Sequence, residues 1–157
     1  SNLFNHQYTS LVTLAEACKD DLVVVDARTA SRLGSLPRLL LVRSVNAVVR
    51  LVVDGPEHEI ALESPARLDL QWVHRSATSP RPLVGAVEEA ELPEGRVHAF
   101  VHGEAEEIRQ IRAHLLRDRG VAKTDLSCSP YWRRGMDDEQ WRSVKKQFVI
   151  AMEGDTA

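Results

Sequence analysis

The chain has 157 residues, 43% apolar and 27% charged, with 20 Lys and Arg against 23 Asp and Glu for a formal charge of −3. That size fits one domain able to bury roughly 70% of the surface its unfolded chain exposes, without disulfide or metal staples. The apolar fraction excludes a disordered chain, the slightly acidic balance argues against a general nucleic-acid binder, and no apolar run approaches the ~20 residues of a membrane span. Cys18 and Cys128 lie far apart, and no basic stretch followed by an apolar one opens the chain. Free thiols and a cytoplasmic setting are therefore expected.

Residues 1–20 read as a separate N-terminal segment, a candidate helix, and residues 21–157 as a single domain. Leu22 to Val25 is a β-branched run ending at Asp26, and a candidate helix from Ser31 to Arg43 follows, with Pro37 an awkward interior residue. Ala47 to Val53 is a second run, broken only by Arg50, and Leu68 to Val73 a third. Leu83 to Leu92 is a short helix candidate before a fourth run, Val97 to His102. Glu104 to Arg119 is the clearest helix: Ile108, Ile111 and Leu115 form a stripe, acids load its first turn, arginines its last, and Gly120 suits its C-cap. Leu126 to Ser129 is a short fifth strand. The last helix opens at Asp137 with Gln140 three residues on, a capping-box pattern, and Trp141, Val144, Phe148 and Ala151 share a face. The runs read as strands buried on both faces. Strands alternating with helices predict a three-layer, doubly wound α/β fold with a mostly parallel sheet.

Ligands of such sheets bind at the carboxyl ends of the strands, near the point where strand order reverses. The candidate stretches are Asp26 to Ala30, Asp54 to Gly55, His74 to Arg75, His102 to Glu104, and Ser129 to Gly135. Thr29 or Ser31 would cap the next helix, and a capped N-terminus can still offer N–H groups to a phosphate. Gly103 permits a close backbone approach. Arg75 would project at the edge, where a guanidinium reads a phosphate in two-point fashion. Tyr131 and Trp132 beside Arg133 and Arg134 gather aromatic and cationic groups suited to a planar or anionic ligand. His98 and His102 stand ~13 Å apart along a strand, too far to share one metal ion. Cys128 has no partner to activate it and reads as a small core residue.

Tyr131-Trp-Arg-Arg-Gly135 followed by Trp141 resembles the Y-W-R-x-G…W signature of siderophore-interacting proteins, a family of flavin-dependent ferric-siderophore reductases. Val101-His-Gly-Glu-Ala105 leading to Arg109 resembles the family's A-G-E-x-x-x-x-R element. Trp72-Val-His-Arg75 resembles its W-x-x-R strand end, and Asp26-Ala-Arg-Thr-Ala30 its G-D-E-T-A loop. The four stand in the family's order across about residues 22 to 150.

The resemblance implies a fold like the NADP-binding domain of ferredoxin reductases. It implies the half that presents hydride from NADPH or NADH to FAD, which then reduces Fe(III) in a siderophore and releases iron. On that likeness Asp26, Thr29, Ala30, Gly103 and Glu104 line the nucleotide and Arg75 favours its 2′-phosphate. Tyr131, Trp132, Arg133, Arg134, Lys145 and Lys146 meet the anionic ferric siderophore. The family's flavin barrel and its Arg-x-Tyr-Ser/Thr motif have no counterpart in these residues, so FAD is expected only through a missing domain or a flavin-bearing partner. Residues 3 to 20 would be a helix over the surface that such a domain takes. No side chain need act as an acid or a base, because the cofactors carry the chemistry. The rival expectation is a non-enzymatic binding or regulatory module that uses the Tyr-Trp-Arg-Arg turn as a docking surface.

Overall fold

The computed structural model describes residues 20–26, 46–59 and 67–156. Its strands are β1 (Asp20–Asp26), β2 (Asn46–Val53), β3 (Arg67–His74), β4 (His98–Glu104) and β5 (Leu126–Trp132). They form one sheet in the order β3-β2-β1-β4-β5, and every neighbouring pair is parallel. Among the described residues the α-helices are α1 (Pro82–Glu89), α2 (Ala105–Arg117) and α3 (Asp138–Gly154). The candidate helix at Ser31 to Arg43, the loop residues Thr29 and Ala30, and the N-terminal segment up to residue 19 lie outside the described residues. So does the connection between β1 and β2 from which a third layer would come.

The sheet forms where apolar runs were expected, with one correction to its burial. β2 is buried along almost its whole length, but β3, at one edge, alternates between exposed and half-buried positions until Val73. Its sequence, Arg-Leu-Asp-Leu-Gln-Trp, has the period of two that a one-sided strand requires. Arg50, buried within β2, reaches that edge: Nη1 donates to the Asp69 carbonyl at 2.9 Å and Nη2 to its carboxylate at 3.1 Å.

The three helices share one core. Val48 and Val52 of β2, Ala99 and Val101 of β4, Leu83 and Val87 of α1, and Ile108, Ile111 and Leu115 of α2 pack with Trp141, Phe148 and Met152 of α3. Burying each large apolar side chain contributes about 1.5–3 kcal/mol. The apolar face of α3 ends on Met152, whereas Ala151 is exposed. Residue 152 stands four after Phe148 and brings a longer apolar side chain to the same stripe. The caps follow the sequence pattern. Asp137 and Gln140 form the capping box, at 2.7 and 2.9 Å. Gly120 takes φ +67° after α2, and the Val121 N–H closes the helix end on the Leu115 carbonyl at 3.0 Å. A residue with a side chain is strained at that φ.

Candidate functional site

Strand order reverses between β1 and β4, the place where sheets of this kind open a crevice. Val25 pairs with His102, so the backbone of Asp26 ends β1 beside Gly103. Gly103 and Glu104 lie within β4, with a register irregularity against β5 between them. The strand therefore runs two residues past His102, and Glu104 becomes the N-cap of α2.

Glu104 is 1% exposed, and its carboxylate is spent on the protein itself. Oε1 accepts from the backbone N–H of Glu106 and Glu107 at 3.1 and 3.2 Å. Oε2 accepts from the backbone N–H of Arg134 at 3.1 Å, so one side chain joins the start of α2 to the turn after β5. The N-terminal donors that would receive a phosphate thus already hold an anion.

Arg75 does not project from the edge as a free cation; its side chain is 8% exposed. Nη1 pairs with Asp54 at 3.2 Å, Nε donates to the Pro80 carbonyl at 3.3 Å, and Nη2 lies 3.6 Å from Glu107 Oε1. The guanidinium sits over the Trp132 ring, 5.1 Å from its centroid. Glu107, 1% exposed, accepts from the Leu83 N–H through its other oxygen at 3.0 Å. Arg75 therefore fastens together residues that follow β2, end β5, precede α1 and start α2.

The turn after β5 divides its residues. Trp132 is buried beneath Arg75. Arg133 pairs with Glu106 at 2.9 Å and lies over Phe148, turned onto α2 and α3. Arg134 is exposed, and its Nη2 donates at 3.1 Å to the Pro80 carbonyl that Arg75 also uses. Tyr131 meets Lys145 of α3, whose ammonium lies 5.7 Å from the ring centroid, and Lys146 is exposed. Asp54 lies in a stretch that the sequence offers as a candidate, whereas Arg81 and Glu107 are not singled out there. Arg81 is partly exposed, with Nε 3.6 Å from Glu104, and it stands beside Pro80 on the same rim as Arg134. Its signal was its place between a strand end and the proline that opens α1.

His102 is fully buried and stacks on Phe100 with centroids 3.8 Å apart. Its Nε2 shares a 3.0 Å hydrogen bond with the Ser127 hydroxyl. Burial above all, then the positive charge of Lys145, pushes its pKa down from 6.5 to about 3. The unfolded chain thus binds this proton more readily than the folded one. The stability is present above pH 6.5 and is lost as pH falls toward 3. Moving from pH 7 to pH 5 removes about 2 kcal/mol on this account. His102→Gln is expected to lose correspondingly less over that interval in urea unfolding, and an equal loss would assign the acid sensitivity to other groups.

Fold and edge together define a parallel α/β domain with arginines and glutamates at the carboxyl ends of its strands. Residues 29–135, more than half of the chain, match the family described as siderophore-interacting protein, and the chain belongs to that family. It is 37% identical over 114 residues to an uncharacterised protein of Mycobacterium tuberculosis, covering 65% of this chain and 40% of that protein. It is 29% identical over 100 residues to the ferric vibriobactin reductase of Vibrio cholerae, covering 62% of this chain and 37% of the reductase. A solved siderophore-interacting protein of Acinetobacter baumannii superposes with a TM-score of 0.69 at 18% identity, over 86% of this chain and 54% of that one, a likeness of fold. The chain spans about two-fifths of the length of the curated relatives it matches. No helix among the described residues is long and apolar enough to cross a membrane.

Proposed function

We propose that this chain is the nicotinamide-nucleotide half of a ferric-siderophore reductase, a single domain over residues 21–157 working in the cytoplasm with a flavin-bearing domain or partner. The observation that carries the reading is the carboxyl edge. Asp26 ends β1 beside Gly103, the penultimate residue of β4, at the reversal of strand order, and the rim that borders it offers Arg81 and Arg134. A bound NADPH or NADH would supply the hydride, which FAD in the partner would pass on to Fe(III).

The residues fit such a nucleotide in a particular way. Glu104 closes the start of α2, so phosphates are met by Arg81 and Arg134 and by the residues that follow Asp26, Thr29 and Ala30 among them. Arg75 positions the edge by holding Trp132 and Glu107, and it contacts no 2′-phosphate. Lys145, Lys146 and Arg134 are the cations offered to an anionic ferric siderophore, beside Tyr131. Arg133 braces α2 against α3.

Titration with NADPH and with NADH, followed by Trp fluorescence corrected for absorption, tests this reading. Saturable binding in the micromolar to low millimolar range is expected. Arg81→Glu and Arg134→Glu should each weaken it by roughly tenfold, with a steep dependence on salt. Unchanged affinity in both variants would remove the nucleotide from this edge. The carboxylate that fills the start of α2 is the observation favouring the rival, a binding module without hydride transfer. That reading predicts no nucleotide binding but siderophore binding weakened by Lys145→Glu.

A further inference from the structure

We infer that the chain has a second ligand site, a cleft of about 330 Å³ between α2, α3 and the start of β5, which takes a small carboxylate with an apolar body. Its lining is Arg112, Lys123, Leu126, Cys128, Met152 and Glu153. Leu126 opens β5 and Trp132 ends it, so the cleft lies ~20 Å along the strand from the carboxyl edge. The inference is independent of the nucleotide reading.

Arg112 carries it. The residue is 8% exposed, yet only its Nη1 is hydrogen-bonded among the described residues, and only to neutral acceptors: the Met152 carbonyl at 3.0 Å and the Thr156 hydroxyl at 2.8 Å. A buried cation with no hydrogen-bonded carboxylate is costly, and Asp155, bonded to Arg109, acts on Arg112 only through space. The carbonyls that end α3, the negative pole of its dipole, offset part of that cost. They hold the guanidinium in place and leave Nε and Nη2 without an acceptor among the described residues. Those two donors have the spacing of a carboxylate's two oxygens.

The surroundings select the rest of the ligand. Asp155, at the end of α3, is committed to Arg109 by bonds of 2.6 and 2.8 Å, and Glu153 is exposed. Lys123 stands exposed and also lines a neighbouring cleft with Arg117, so three cations gather here. Leu126, Cys128 and Met152 supply an apolar wall. Burial pushes the Cys128 thiol up to about 12, so it belongs to the wall as a neutral group. A guanidinium fork beside an apolar wall favours an aromatic or aliphatic acid over a free inorganic anion.

The two methionines give a direct readout, since Met152 lines the cleft and Met136 lies on the turn after β5. In the full chain with ¹³C-labelled methionine methyls, benzoate should shift Met152 saturably, with a millimolar dissociation constant, and leave Met136 in place. Benzamide, similar in shape but uncharged, should bind at least roughly tenfold more weakly. Lys123→Glu, at an exposed position, should weaken benzoate by roughly fivefold without changing the melting temperature. Arg112→Gln should abolish the shift, and because Arg112 also braces α3, Lys123→Glu keeps the test open if that variant fails to fold. No saturable Met152 shift with benzoate, equal binding of benzamide, or insensitivity to Lys123→Glu would each overturn the inference.

Discussion

Replacing Arg75 with methionine is expected to destabilise the domain by about 3–5 kcal/mol, the usual loss when one partner of a buried ion pair is removed. The cost falls mainly on Glu107, left buried with an oxygen that faced the guanidinium at 3.6 Å. For a domain of this size that lowers the melting temperature by roughly 10 °C or more. Glu107→Gln in the same background should restore part of the loss, because the stranded charge is gone. Arg75→Met should also weaken NADPH and NADH to the same extent, as the whole edge loosens. A selective loss of NADPH at unchanged stability would instead make Arg75 a direct 2′-phosphate contact.

Glu104→Ala is the second large effect, about 3 kcal/mol. An N-cap contributes roughly 1–2 kcal/mol. The charge-assisted bond from the Arg134 N–H adds roughly 1.5–3 kcal/mol, and the two overlap because one carboxylate makes both. Glu104→Gln, which keeps the shape and loses the charge, should cost about half as much. Amide exchange should rise at Glu106, Glu107 and Arg134 together, since these three N–H groups share the one acceptor. Exchange rising at Glu106 and Glu107 but not at Arg134 would mean that the turn after β5 is held by other contacts.

Much of the fold was legible because local pattern and tertiary structure agree. The Val-rich runs became strands, and the capping residues Asp137, Gln140 and Gly120 closed the helices where their chemistry directs. β3 was misread although its alternating Leu68, Leu70 and Trp72 carried the signal of a one-sided strand. The family and the location of the edge were legible from the Tyr-Trp-Arg-Arg-Gly turn and the Gly103-Glu104 element. The state of each side chain there was not. Arg75 meets Asp54 across 21 positions, Glu104 meets the Arg134 backbone across 30, and Arg134 meets Pro80 across 54. Only the sheet order brings such groups together, so no spacing along the chain distinguishes a guanidinium that braces the fold from one left to a ligand.

An amide-resolved NMR titration of the ¹⁵N-labelled chain with NADPH locates the nicotinamide nucleotide proposed for the carboxyl edge. Saturable shifts are expected at Gly103, Arg134, Gly135 and the loop from Ser76 to Arg81, with the amides around Leu126 and Met152 unmoved. No saturable shift at those edge residues at several millimolar NADPH, in a chain whose spectrum shows it folded, would contradict that proposal.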